Sequence, residues 1–404
     1  MTDDHLMTFM NTAESAGGAE RHASWTELFF DLVVVAGVLQ LSHLLHEGPT
    51  AADLALYVLL YLAFWIAWVC FTVYGNVEGD RAWTPGLLLA MLGLAVMVAA
   101  VPGIRGTRHH LAFVAAYVFL RWLSSRFWRR GRVVMDWPVA QMGLGVLPWI
   151  VSLWVDAPAR YWLWALGIGF DLLAILADAG GRMLRGAQEW AARLVRKNGD
   201  RGRLPVIEAA YADVPHLMER LSLYVIIVLG EGVIQITSVA ADTSWDVHLA
   251  GAAVGSFALL SGLWSMSLLY GFGGIPKTGR RDLPVRLALS LHCLTTCALA
   301  SVAAGLGLAI AHPHDPAANG VRWFLCAGLM VYFGVSVLAA VVSGARWQDV
   351  LGWALPCLLL LLALGVFAQR LGVGWLIWAL ATAVGWQLVF APGKRGGLLE
   401  RASA

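Results

Sequence analysis

The sequence predicts an all-α integral membrane protein, a polytopic bundle of about twelve transmembrane helices. Three observations lead there. Of its 404 residues, 59% are hydrophobic and only 13% charged, with a mean hydropathy of +0.69. Soluble domains carry roughly 25% charged and about 45–50% apolar residues. Apolar windows of about 20 residues, the length that crosses hydrocarbon, recur along the whole chain. The 20 Trp residues suit lipid, because indole rings favour the interface between hydrocarbon and headgroups.

In chain order the predicted spans are 26–45, 53–74, 84–102, 110–128, 137–155, 160–178, 217–239, 247–271, 285–311, 321–343, 349–369 and 371–391. The first carries several polar groups, and only Gln369–Arg370 separates the last two. Lys and Arg collect on the cytoplasmic side of membrane proteins. With both termini inside, the tails and every even-numbered connection hold most of the 28 basic residues. These include Arg126, Arg129, Arg130, Arg132, the run from Arg182 to Arg203, and Lys277, Arg280, Arg281 and Arg286. The outer connections hold only Arg105, Arg108, Arg160, Arg322 and Arg370, while Arg121 and Arg220 fall inside helices. This asymmetry predicts an even number of spans in a bacterial inner membrane. The first 24 residues carry Asp3, Asp4, Glu14 and Glu20 against Arg21 alone. That pattern lacks the basic start and apolar run of a cleavable signal, so the first helix reads as a retained anchor.

The expected organisation is a cytoplasmic tail (1–25), a six-helix half (26–178), a basic cytoplasmic loop (179–216), a second six-helix half (217–391) and a cytoplasmic tail (392–404). Between Arg182 and Lys197, apolar residues recur at helical spacing with arginines between them. This predicts an amphipathic helix on an anionic leaflet. Both halves open on a helix with embedded acids and a glutamine, Glu27, Asp31 and Gln40 in one and Glu219, Glu231 and Gln235 in the other. Duplicated six-helix halves are a common transporter plan.

The net charge of +2 carries no nucleic-acid footprint. Cys70, Cys293, Cys297, Cys326 and Cys357 lie in apolar runs and read as free thiols. No phosphate loop, nucleophile elbow, zinc-protease helix or dinucleotide fingerprint occurs. No cofactor or metal is predicted; His312, His314 and Asp315 in an outer loop read as solvated, and His109–His110 as an interface marker.

Ionisable groups in hydrocarbon cost roughly 2.5–3.5 kcal/mol each, so they face a bundle interior or a wet cavity. Glu27 and Asp31 are four apart and share a helix face. Two such carboxylates repel when both are ionised, so the pair can hold a proton or a cation. The plainer reading sets them near the interface, hydrated or paired with arginine. Arg220, Tyr224, Glu231 and Gln235 form one stripe on the seventh span. Arg220 and Glu231 lie roughly 16 Å apart along it, too far to pair. Gly230 and Gly232 flank Glu231 and permit close packing or local unwinding. Glu231 is alternatively a structural charge tied to a neighbour such as Arg121. The sixth span carries Asp171 near mid-depth and Asp178 at its edge, and the ninth carries His292 beside Thr295 and Thr296. A deep His relays protons or is simply hydrogen-bonded in the core, and His43 is open in the same way. Glu27, Asp31, Asp171 and Glu231 face two embedded arginines. That imbalance points to protonated acids or bound cations.

Trp25-Thr-Glu-Leu-Phe-Phe-Asp-Leu32, running into Val-Val-Val-Ala and Gln40-Leu-Ser42, resembles the segment that opens the bacterial low temperature requirement A family. His216-Leu-Met-Glu-Arg220 followed by Ile226-Ile-Val-Leu-Gly-Glu231 is similar to a second segment of that family. The resemblance covers almost the whole chain. It places family positions at Glu27, Phe29, Phe30, Asp31, His216, Glu219, Arg220, Gly230 and Glu231. Gly232 stands where a small hydroxyl residue is expected. The family's name describes growth in the cold rather than a biochemical activity.

The expected function is proton- or cation-coupled secondary transport of an unidentified small molecule. Glu231 and the Glu27/Asp31 pair are the expected coupling acids, Arg220 a counter-charge or gate, and Asp171, Gln235 and His292 further candidates along the path. The expected partners are the lipid bilayer and protons or cations; oligomeric state is left open. An ion channel, a lipid-directed enzyme or sensor acting in cold adaptation, and a scaffold are the competing readings.

Overall fold

A computed structural model describes residues 21–42, 44–45, 50–106, 108–128, 131–177, 179–198, 207–277 and 279–390. Asp178, His43, the C-terminal tail and most of the N-terminal tail lie outside the described residues, as do residues 199–206 of the basic loop. Among the described residues the chain forms thirteen α-helices. They are α1 (Trp25–Ser42), α2 (Ala51–Glu78), α3 (Thr84–Ala100), α4 (His109–Phe127), α5 (Val146–Val151), α6 (Ala159–Leu176) and α7 (Ala179–Asn198). Then follow α8 (Val214–Ala241), α9 (Val247–Trp264), α10 (Val285–Ile310), α11 (Asn319–Val342), α12 (Trp347–Phe367) and α13 (Val373–Phe390). Strand β1 (Arg132–Val134) pairs in parallel with β2 (Glu208–Ala210), and β3 (Gly271–Phe272) pairs antiparallel with β4 (Ile275–Pro276).

Seven of these helices, against the twelve spans expected, are long and apolar enough to cross a membrane: α1, α2 and α8 to α12. An eighth is added if α6 and α7, bent by 74° at their junction, form one broken span. The helices α3 and α13 are apolar but shorter. Helix α4 carries His109, His110, Arg121 and Arg126, which dilute its hydropathy. The predicted span 137–155 is corrected outright, because it breaks into a turn at Pro138–Gln141, the short α5 and a turn at Ser152–Trp154. Pro138, Gly143, Gly145 and Pro148 interrupt that segment. Proline removes a helical donor and glycine weakens helix continuity, so apolarity alone does not make this stretch one rod.

Helices α2 and α10 form the centre. Buried residues make up 72% and 89% of their apolar windows, against 33% in α8 and α12. A capping box starts α2: Thr50 N–H donates to Asp53 Oδ2 at 2.8 Å, and Asp53 N–H donates to Thr50 Oγ1. Its buried face presents Tyr57, Tyr61, Trp65 and Trp68. Helix α1 packs against α2, α3 and α8, and α10 against α8 and α11. The first and second halves of the chain therefore share one interior.

In the amphipathic α7, Arg182, Arg185 and Arg193 are exposed while Met183, Leu184 and Ala187 are half-buried. At the other end of α8, Asp246 caps α9 by accepting from His248 N–H at 3.0 Å and Leu249 N–H at 2.9 Å. It also meets His314 Nε2 at 2.8 Å. The Leu249 amide, with that of His248, holds the Asp246 carboxyl below its ordinary value. Folding lowers this pKa, so the cap is complete above the unfolded value of about 3.9 and is lost as pH falls through the lowered one. Amide protection at Leu249 is expected to persist down to about pH 4 and then fall. In Asp246→Ala it is expected to be absent at every pH; protection unchanged in that variant overturns the assignment.

Candidate functional site

The site is assembled where α1 meets the start of α8. On α1, Ser24 precedes the first turn and Glu27 sits three residues on, a sequence-level capping box. Ser24 N–H and Oγ–H donate to Glu27 Oε2 at 2.9 and 3.0 Å, and Glu27 N–H donates back to Ser24 Oγ at 3.3 Å. One carboxylate oxygen is thus spent on the cap and Oε1 turns inward. Asp31 follows one helical turn later and is fully buried.

On α8, Asp213 caps the helix and Pro215 occupies its first turn. The side chain of Asn76, near the end of α2, clasps Asp213, donating to its carbonyl at 3.0 Å and accepting from its N–H at 2.8 Å. This register sets His216 and Arg220 four apart on one face toward α1. Arg220 Nη2 donates to Asp31 Oδ1 at 2.9 Å and Nε donates to Asp31 Oδ2 at 3.3 Å, a two-point fork. Its Nη1 donates to Glu27 Oε1 at 3.4 Å. Trp68 Nε1 donates to Asp31 Oδ1 at 2.6 Å. The Arg220 guanidinium also lies 5.9 Å from the Phe30 ring.

The two ring nitrogens of His216 both face oxygen acceptors. Nδ1 lies 2.9 Å from the Arg21 carbonyl, and Nε2 lies 3.2 Å from Glu27 Oε1. A neutral imidazole has one donor and one acceptor nitrogen. Two hydrogen bonds here require a proton on each nitrogen, or a protonated Glu27. With both hydrogen bonds made, the His216–Glu27 contact holds one proton beyond a neutral imidazole and a carboxylate. Arg21 closes the cluster from outside, donating to the Gly75 and Asn76 carbonyls at 3.1 and 3.0 Å, with Nη2 at 3.6 Å from Glu27 Oε1.

The family of bacterial low temperature requirement A proteins matches residues 22–386, which include this entire cluster except Arg21. The chain belongs to that family. An uncharacterised protein of Rhizobium meliloti (strain 1021) is 27% identical over 227 residues, 53% of this chain and 50% of that protein. The matched region thus spans about half of the relative's length. No solved structure matches the chain.

In this low temperature requirement A protein the family positions have unequal surroundings. Phe30 is buried, Phe29 is exposed, and Glu219 meets His22 at 3.3 Å at the exposed edge. Gly230 faces open space. A Cβ on Gly232 would stand 3.0 Å from Ala303 Cβ, so glycine here lets α8 approach α10. Glu231 is half-buried, and among the described residues its Oε1 has no hydrogen-bond partner. Gln235, one turn further along, packs on Gly307 of α10.

The structure bears on two readings left open by the sequence. The Glu27/Asp31 pair does not stand as bare carboxylates, because Arg220 bridges it. Nor is Asp171 free: it is buried against Arg121, which donates through Nη1 to Oδ2 and through Nη2 to Oδ1, the latter at 3.2 Å. Arg121 is therefore not the partner of Glu231. Its Nη2 also donates to the Val139 and Met142 carbonyls, each at 3.0 Å. Both belong to the broken segment 138–155, whose buried backbone groups need such partners. This second pair holds irregular chain in place. His292 lies on α10, away from the charges, with Nε2 on the Leu221 carbonyl at 3.1 Å. Among the described residues no group of three or more His, Cys, Asp or Glu is arranged to hold a metal.

Sequence reasoning passed over Arg21, Ser24, Trp68, Asn76 and Asp213. The Ser24-x-x-Glu27 spacing was the one local signal available. Nothing singled out Trp68 among 20 tryptophans.

Proposed function

We propose that this protein is a proton-coupled secondary transporter of the bacterial inner membrane, with both termini cytoplasmic. Glu27, Asp31, His216 and Arg220 form its proton-exchanging centre. The observation that supports this reading is that both ring nitrogens of His216 face oxygens, one of them Glu27 Oε1, inside a cluster of two buried carboxylates and one buried guanidinium. With His216 protonated those four side chains sum to zero charge. Loss of that proton leaves a lone pair facing a carboxylate and an unbalanced negative charge in a low dielectric. Arg21, already 3.6 Å from Glu27 Oε1 at the partly exposed rim, offsets only part of that imbalance. Proton exchange is in this way tied to movement of α1 against α8. Glu231 and Gln235, about three and four turns beyond Arg220 on α8, are proposed as the next polar station, toward a small-molecule site near mid-membrane.

The test is flux across proteoliposomes under an imposed pH gradient, read with a pH-sensitive dye inside. Wild type is expected to dissipate the gradient. Folded Glu27→Gln, and separately Glu231→Gln, are expected to be slower on the order of a hundredfold. Wild-type vesicles as tight as empty ones under every imposed proton or cation gradient would sink the reading.

A further inference from the structure

Trp68 also stacks into a second polar group that the charge cluster does not use. Trp65 and Trp68 of α2, Tyr224 of α8 and His292 of α10 form one ring cluster at the centre of the bundle. Tyr224 lies 4.3 Å from Trp68 between centroids, and His292 lies 5.6 Å from Tyr224, 5.8 Å from Trp68 and 6.3 Å from Trp65. All four are buried.

Three of the four carry a stranded polar atom. Among the described residues, Trp65 Nε1 and His292 Nδ1 have no hydrogen-bond partner, and Tyr224 Oη stands beside the Tyr61 hydroxyl without a bond of good geometry. The tautomer of His292 follows from its other nitrogen. A carbonyl only accepts, so Nε2 carries the hydrogen it gives to Leu221 O at 3.1 Å. In the neutral ring Nδ1 is then a bare acceptor. Trp65 Nε1–H is a bare donor, and a tyrosine hydroxyl is both. Buried polar groups of this kind are nearly always satisfied, by protein or by water. The three atoms offer one donor, one acceptor and one of either kind, which is the partner set an enclosed water needs.

We infer that Trp65, Tyr224 and His292 enclose an internal water site. Joined to the proposed transport reading, on which its role rests, this site is a proton station next to the charge cluster. A hydronium arriving there gives its proton to His292 Nδ1: the O–H bond breaks, the N–H bond forms, and water and an imidazolium remain. The imidazolium keeps its Nε2 bond to Leu221 O and donates Nδ1–H to the water left behind. Release runs the same step backwards. The ionisable groups around the ring cluster are Asp31, bonded to Trp68, with Tyr61, Tyr224, Cys293 and Cys297. The polar lane continues past His292, because Tyr61 Oη–H donates to Thr296 Oγ1 at 2.6 Å and that hydroxyl donates to the His292 carbonyl at 2.7 Å.

The test uses full-length protein in liposomes with ¹⁵N-labelled histidine and water-edited solid-state NMR. The His292 signals are assigned by their loss in His292→Phe or, if that variant fails to fold, by their shift in Tyr224→Phe. Water magnetisation is expected to reach His292 Nδ1, with the shift of a hydrogen-bonded nitrogen. A free-acceptor shift with no transfer from water overturns the site. Tyr224→Phe, which removes one oxygen, is expected to slow proton flux on the order of a hundredfold while the His216 signals stay in place. Unchanged flux in that variant removes the station's role. Hydrated His292 in a protein that moves no protons sinks the transport reading and leaves the water site standing. A dry His292 in a protein that does move them sinks this inference alone.

Discussion

Arg121→Met is expected to destabilise the protein by about 3–5 kcal/mol, the cost of stranding one partner of a buried ion pair. The change removes both contacts to Asp171 and leaves that carboxylate almost fully buried. It also takes the donor from the Met142 carbonyl, and one of two from the Val139 carbonyl, which keeps the Met142 N–H at 3.2 Å. For that reason Arg121→Met/Asp171→Leu is expected to recover only part of the loss. An apolar pair often replaces a buried ion pair without penalty, but here the Met142 carbonyl stays unsatisfied, at about 1–3 kcal/mol. Unfolding of purified protein in detergent measures both. Full recovery in the double variant would show that the broken segment does not depend on the arginine.

Arg220→Met should be of similar size in stability, again about 3–5 kcal/mol, and opposite in what a second change restores. Alone it leaves Asp31 and Glu27 without their guanidinium, and the protein is expected not to accumulate. Arg220→Met/Asp31→Leu removes the stranded charge, while Glu27 keeps its bonds to His216 and Ser24. That variant is expected to fold and to carry no proton-driven flux. Comparing the two double variants separates a pair that holds backbone from one that exchanges protons. Flux at the wild-type rate in the Arg220/Asp31 double variant would take the exchange role from this cluster.

The helical membrane character was legible because composition and window apolarity sum over many residues. Local breaks are lost in such sums, and the stretch 137–155 shows it. Its two prolines and two glycines decide its path, although its hydropathy is that of a span. Glu27 and Asp31 were legible as one face through the helical repeat. An arginine partner is among the readings and Arg220 is expected as a counter-charge, but their direct pairing was not legible, because Asp31 and Arg220 stand 189 positions apart and no local pattern encodes that meeting. Asp171 and Arg121, 50 positions apart, are hidden for the same reason. The count of four embedded acids against two arginines treated the charges as a pool. In the fold they sort into two closed groups, with Glu231 outside both. His216 at the end of α8 belongs in that count as a positive charge when protonated, which a tally of acids and arginines leaves out.

The short ladder between Arg132–Val134 and Glu208–Ala210, and the clasp of Asn76 on Asp213, have a bearing on chain continuity. Together they rivet the base of everything that comes between them, so a protease cut within 179–206 severs the polypeptide without severing the body. The nicked halves share the interior of α1, α2, α8 and α10 and remain one particle. The same region is accordingly a natural junction for producing the protein as two complementing fragments, or for inserting a reporter domain without disturbing the machinery on either side.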